Sequence, residues 1–389
     1  MARMLLASLQ VLLAMVVFSA CVDNGDMQTD GDVETDYSGE MDCTGDSERE
    51  RTICIDVPIV DVVQTWPIIP TGQTKCFDNQ REIVCPAEGG TFYGQDAHYP
   101  DRERVFTTYD VSGDTLVEDS LTGLIWTKTY VDNQTWLEAR AYCDNLDYGD
   151  QTDWRLPNIH ELRSLAFYGL ENIASDFPGL PNENIILWSS TPDISPEYDE
   201  PWDRLAHGSF LLSSVACDPE TKNWLLWITM GGHGSREISL SMSVLCVFSE
   251  SEMPLSTTER FVAYQGDNSL MEDTTTGLVW VQSFEENTCW REALAYCENM
   301  DFGGCKDWRL PNINELASLI NFGKYDPATS FPGDTFRGLN RFWSSTASGD
   351  SFEWYVNMKI GNIYWEKRTQ NWQMTGYCSY SARCVRGGP

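Results

Sequence analysis

Apolar positions along the chain follow two periods. Trp136, Ala139, Cys143 and Leu146 stand at i, i+3, i+7 and i+10, one face of a helix, and Thr135 with Glu138 makes a capping-box pattern at its start. Asn158 with Glu161 marks a second helix start, with Leu162 and Leu165 on its inward side and Pro157 ahead of the cap, where it does no harm. Short aromatic and β-branched segments bounded by Gly and polar residues then predict strands over 187–190, 225–230 and 244–248. With a strand ending at Trp126, the predicted unit is strand, helix, helix and several strands.

The pattern returns 154 residues later. Gly123-Leu124-Ile125-Trp126, Trp136, Ala139, Tyr142-Cys143, Asp153-Trp154-Arg155-Leu156-Pro157-Asn158-Ile159 and Glu161-Leu162 have partners at Gly277-Leu278-Val279-Trp280, Trp290, Ala293, Tyr296-Cys297, Asp307-Trp308-Arg309-Leu310-Pro311-Asn312-Ile313 and Glu315-Leu316. Trp188-Ser189-Ser190-Thr191 matches Trp343-Ser344-Ser345-Thr346, and Cys246 matches Cys384. Strands are predicted here over 342–345, 354–358 and 383–386, and Cys289 replaces the Thr135 cap. This is an internal repeat, with copies over 105–250 and 258–389, each of a size typical of one domain.

The ends add a destination. Arg3, the apolar run from Met4 to Phe18 and the small residues Ser19 and Ala20 read as an export signal over 1–20, too short for a comfortable bilayer span. Cys21 directly after it resembles the lipobox cysteine of bacterial lipoproteins, although Phe18 stands where Leu is usual; the alternative is simple cleavage with an ordinary thiol at 21. The expected location is the cell envelope, anchored in the outer membrane or at the cell surface through lipidated Cys21. Residues 21–50 are crowded with Asp and Glu and carry the single base Arg49, the composition of a disordered tether. Residues 51–104 form a Cys- and Pro-rich leader, with Cys43 near Cys54 and Cys76 near Cys85 suggesting staples. Thirteen cysteines behind an export signal imply an oxidising compartment and disulfides.

A formal charge of −33 excludes nucleic acid, whose binding needs clustered Lys and Arg, and disfavours heparin-like polyanions. The recurring tryptophans sit at apolar, element-bearing positions, so they read as core rather than as sugar platforms. Glu161 and Glu315 read as caps, and Arg155 and Arg309 as structural donors. Enzyme signatures are missing: there is no Gly-x-Ser-x-Gly, phosphate loop or Cys-x-x-Cys, and His98, His160, His207 and His233 lack metal-ligand spacing.

The motifs Thr122-Gly-Leu-Ile-Trp126, Trp136-x2-Ala139-x3-Cys143, Trp154-Arg-Leu-Pro-Asn158 with Glu161-Leu162, and Trp188-Ser-Ser190, all repeated in the second copy, resemble the Lcl C-terminal domain, named from a bacterial collagen-like adhesin. Thr71-Gly72-Gln73-Thr74 and Tyr93-Gly94-Gln95-Asp96 look like the leader often found before such domains. The resemblance implies an α+β fold: two tandem C-type-lectin-like domains, each two helices packed on short, twisted antiparallel strands, after a small disulfide-stapled leader. It implies the bonds Cys143–Cys246 and Cys297–Cys384, and leaves Cys217, Cys289, Cys305 and Cys378 unassigned. The calcium-dependent sugar-binding triplets of true C-type lectins are absent from the sequence.

What the two copies do not share is the stretch after Trp188. In the first copy it is long and carries Asp193, Glu197, Tyr198, Asp199, Glu200, Trp202 and Asp203; in the second it shrinks to residues 347–353. Loops on a rigid frame are where binding residues concentrate, so Asp193, Glu197, Asp199, Glu200, Trp202 and Asp203 are the candidate ligand contacts. Their carboxylates offer hard oxygens suited to calcium, and a solvated acidic insertion is the alternative. The expected function is recognition of a glycan or protein ligand, or adhesion, mainly through this loop. The runner-up is a purely structural envelope lipoprotein, and an oxidase like the formylglycine-generating enzymes is third.

Overall fold

The computed structural model describes residues 67–99, 102–168, 177–180, 185–192, 213–217, 223–228, 242–249, 260–334, 341–348, 352–367, 378 and 380–387. The fold over these residues is mixed and strand-rich, with four short helices in two tandem copies. No helix among them is long and apolar enough to cross a membrane.

In the leader, β1 (Cys76–Phe77) pairs with β2 (Glu82–Ile83), and Cys76 is bonded to Cys85. The first copy opens with a hairpin, β3 (Phe106–Val111) and β4 (Asp114–Asp119). Its turn places both Ser112 and Gly113 at positive φ (53° and 101°), the backbone that matches the twist of antiparallel strands. β5 (Ile125–Thr127) pairs with β4. Between them Asp119 is fully buried, accepting from Thr122 Oγ1 (2.5 Å) and Arg104 Nη2 (2.6 Å), while Gly123 donates its N–H to the Asp119 carbonyl. Gly123 has φ +70°, so this turn is the physical reason for the Thr-Gly pair of the motif.

Two helices follow, α1 (Trp136–Asp144) and α2 (Ile159–Arg163), both with complete capping boxes. The remaining strands are β6 (Ile185–Pro192), β7 (Ser213–Cys217), β8 (Asn223–Ile228), β9 (Met242–Ser243) and β10 (Val247–Phe248). They complete two sheets, ordered β10-β5-β4-β3 and β7-β8-β6-β9.

The second copy repeats this plan. β11 (Phe261–Tyr264) and β12 (Asp267–Asp273) form its hairpin, followed by β13 (Val279–Val281), β14 (Glu285–Thr288), α3 (Trp290–Glu298) and α4 (Ile313–Ser318). It ends with β15 (Arg341–Ser348), β16 (Phe352–Asn357), β17 (Asn362–Lys367), β18 (Tyr380–Ala382) and β19 (Val385–Arg386). The sheets run β11-β12-β13-β19 and β14-β18-β15-β16-β17.

Two expectations change. The strands read at 244–248 and 383–386 are shorter, Val247–Phe248 and Val385–Arg386, and each follows a strand of the other sheet, Met242–Ser243 or Tyr380–Ala382, after a break that includes Cys246 or Cys384. There the carbonyls of Cys246 and Cys384 accept from Thr127 N and Val281 N (3.0 and 3.1 Å), which turns the chain from one sheet to the other. The long insertion of the first copy is not all loop: residues 213–217 form β7, which extends the sheet beside β8.

The copies are not beads on a string. One apolar cluster holds Trp126, Leu162, Leu165 and Tyr168 together with Trp280, Leu316, Leu319 and Phe322, and residues 51–389 form one compact unit. Across the seam Trp354 Nε1 donates to the Tyr168 carbonyl (2.9 Å), and Arg163 Nη1 to that of Ala317 (3.2 Å). Positions 163 and 317 are equivalent in the repeat, so α2 and α4 meet near matching points. The leader is seated on the second copy. Asp96 Oδ2 accepts from Thr71 and Thr346 (both 2.6 Å), Ala347 N donates to Gln73 Oε1 (2.6 Å) and Asn314 Nδ2 donates to the Ile69 carbonyl (2.9 Å).

Candidate functional site

The motif residues turn out to be frame. Buried Glu161 accepts from Arg155 Nη1 and Nη2 (2.8 and 2.6 Å) and from Asn158 N (2.8 Å). Glu315 does the same with Arg309 (2.6 and 2.6 Å) and Asn312 N (2.9 Å). Each carboxylate is thus fully occupied in capping a helix and holding the preceding turn. The tryptophans use their indole N–H groups to lock matching places in both copies. Trp154 and Trp308 donate to the carbonyls of Tyr148 and Phe302 (both 3.0 Å), and Trp188 and Trp343 to those of Gln134 and Thr288 (2.8 and 3.0 Å). Trp126 and Trp280 are buried with their N–H groups unpartnered in both copies.

Cys143 is bonded to Cys246 and Cys297 to Cys384, so the structure brings together both pairs implied by the resemblance. Cys289 and Cys378, unassigned from sequence, are bonded to each other. Among the described residues, two groups have sulfur, nitrogen or oxygen atoms close enough for a metal, Cys76 with Cys85 and His98, and Cys289 with Glu292 and Cys378. Their sulfurs are in disulfides and offer no thiolate, the form in which cysteine ligates a metal. Cys21 and the candidate contacts Asp193, Glu197, Asp199, Glu200, Trp202 and Asp203 lie outside the described residues.

Within them, a polar-aromatic set gathers on one face of the β18-β15-β16-β17 sheet in the second copy. Arg341 sits over Tyr355 and Tyr380, 5.7 and 5.3 Å from the ring centroids, and donates from Nη1 to Tyr380 Oη (3.2 Å). Tyr380 in turn donates to Glu366 Oε2 (2.9 Å), and Tyr355 packs between Tyr364 and Tyr380. Arg341 Nε is buried without a partner. Burial, aided by Glu366, pushes the Tyr380 phenol up to about 12, and burial also raises Tyr355 and Tyr364. At neutral pH all three therefore stay protonated, acting as hydrogen-bonding and stacking groups rather than nucleophiles.

Sequence reasoning missed this set because its members come from four strands, and only strand register joins them. Trp343 pairs with Tyr355 and Tyr355 with Tyr364, while Phe342 pairs with Ser381. The same registers in the first copy place Ile186, Leu225 and Met242 at the positions of Arg341, Tyr355 and Tyr380. One copy therefore carries a guanidinium and two phenols where the other has apolar residues.

The model of the Lcl C-terminal domain family matches residues 115–232 and 269–386, within the two copies and over more than half of the chain. No curated protein matches it.

Proposed function

The chain belongs to the Lcl C-terminal domain family, and we propose that its two copies form a ligand-recognition or adhesion module and, from the apolar run at 4–18 and Cys21, that it is an exported, lipid-anchored envelope protein. The observation that carries this reading is the contrast between the copies. Frame residues recur from one to the other, including the arginine–glutamate clasp, the indole hydrogen bonds and the helix-to-strand disulfide. Other side chains do not: Arg341, Tyr355 and Tyr380 belong to the second copy, and the acidic insertion around residues 193–203 to the first. A frame kept constant under divergent presenting residues is the pattern of a binding scaffold. The fold within each copy is proposed to be C-type-lectin-like, supported by two helices on short strands and a disulfide from the first helix to the last strands. No catalysis is assigned, since the phenols are held protonated and the motif carboxylates are engaged in clasps.

The partner of such a module is a glycan or a protein, and the carboxylates of Asp193, Glu197, Asp199, Glu200 and Asp203 offer hard oxygens suited to calcium. The charge of −33 argues against nucleic acid and disfavours other polyanions. The test is a screen of residues 22–389 against surface glycans and proteins. For the hit, replacing Arg341 by Met together with Tyr380 by Phe weakens binding by about tenfold, the scale of about 1.4 kcal/mol. Binding unchanged both in that variant and in one with residues 193–203 replaced by a Gly-Ser linker would make the copies a structural assembly instead.

The anchor is tested separately. Cys21→Ala abolishes fatty-acid labelling and releases the protein from membranes; labelling that persists in the variant refutes lipidation at Cys21.

A further inference from the structure

Where the leader and the two copies meet, a cleft of about 60 Å³ opens, walled by residues 67–69, by His160 and Arg163 of α2, and by Arg260 and Asn314 of the second copy. Two of the polar groups in these walls are already engaged. Arg260 holds Asp273 and the Ser318 carbonyl, and Asn314 holds the Ile69 carbonyl. His160 and Arg163 are different. His160 Nε2 and Arg163 Nε are both buried and both without a partner.

Arg163 is only 5% exposed. Its contacts are the Ala317 carbonyl and Tyr168, and no carboxylate among the described residues balances it. A guanidinium taken out of water without a counter-charge is strongly unfavourable unless something supplies one. Arg260 is neutralised by Asp273. Burial, and after it the charges of Arg163 and Arg260, push the His160 imidazole well below its ordinary value, so it is neutral. The surplus at the cleft is therefore a single positive charge.

The repeat supplies an internal control. At the places of His160, Arg163 and Tyr168 the second copy has Asn314, Ala317 and Phe322 on the same capped helix frame. The fold thus needs neither the imidazole nor the guanidinium, and these two residues are set apart from the scaffold.

We propose that this cleft binds one carboxylate group, held by the Arg163 guanidinium with His160 beside it. A planar carboxylate matches the guanidinium fork, and one negative charge balances the surplus without leaving another unpaired in a desolvated site. Phosphate or sulfate would bring a second charge and a bulkier tetrahedron. A carboxylate also fits a cleft this small, whether it is a free monocarboxylate or the arm of a sugar acid whose ring lies outside.

The experiment melts residues 22–389 in sodium chloride, acetate, glucuronate and sulfate at equal ionic strength, and follows the His160 imidazole by NMR in the same salts. Acetate or glucuronate raises the melting temperature by about 2 °C or more over chloride, because a ligand that binds only the folded state stabilises it. The same salt moves the His160 resonances. Acetate sufficing points to a free acid, and glucuronate alone to a sugar acid. Arg163→Ala removes both responses, and His160→Asn, which installs the residue of the second copy, weakens them. Equal melting in chloride and both carboxylates with unmoved His160 signals overturns the proposal, as does a larger response to sulfate. The wild-type titration decides even if a variant fails to fold.

Discussion

Replacing Cys297 and Cys384 together by alanine lowers the stability of the folded protein by about 4–5 kcal/mol, and the Cys143 and Cys246 pair costs about the same. The bonds close 87 and 103 residues of sequence, and loop closure in the unfolded chain scales with the logarithm of that length, so the two differ little. All four cysteines are fully buried, so each replacement also leaves packing defects in the cluster around Trp308 or Trp154. Removing Cys76 and Cys85, which are 9 residues apart, costs less, roughly 2–3 kcal/mol by the same scaling. Denaturant titration of the three double variants under oxidising conditions measures the order. A leader variant as damaging as the other two would show that chain entropy is not what these bonds supply.

The second large effect is at Arg309. Arg309→Met strands Glu315, which is 1% exposed, and destabilises by about 3–5 kcal/mol; Arg309→Met with Glu315→Leu recovers much of the loss. In the first copy the Arg155 side chain is 21% exposed, so water can replace it beside Glu161 and Arg155→Met costs less. A double-mutant cycle in each copy reads both values. Equal losses at the two clasps would mean that exposure of the arginine does not set their strength.

Local features were the most legible. Helix starts are written in residues three apart, and Thr135 with Glu138 and Asn158 with Glu161 form the boxes that their order announces. The hairpins were also in the sequence, at Ser112-Gly113 and Gln265-Gly266, but the first hairpin's strand β3 has only half-buried and exposed positions without strict alternation, so its hydrophobic signal is faint. The shared core could not be read at all. Periodicity shows that Leu162, Leu165, Leu316 and Leu319 face something apolar, and says nothing about whether that is their own copy or the other. The Arg341 face was hidden for a related reason, its residues being scattered from 341 to 380. His160 and Arg163 were visible as differences between the copies, although only burial and the lack of partners give the difference meaning.

The seating of the leader also sets how the molecule carries load. Its hydrogen-bond partners Asn314, Thr346 and Ala347 lie 245 to 274 positions further along the chain, so the described fold is closed like a buckle, start against end. Tension applied at residue 67 meets the leader first, which is bonded to the second copy and also lies beside α2 of the first. A short staple, Cys76–Cys85, stiffens the gripping piece. A pull at the start of the described fold is thus shared between these bonds to the second copy and the chain that runs on into β3 of the first.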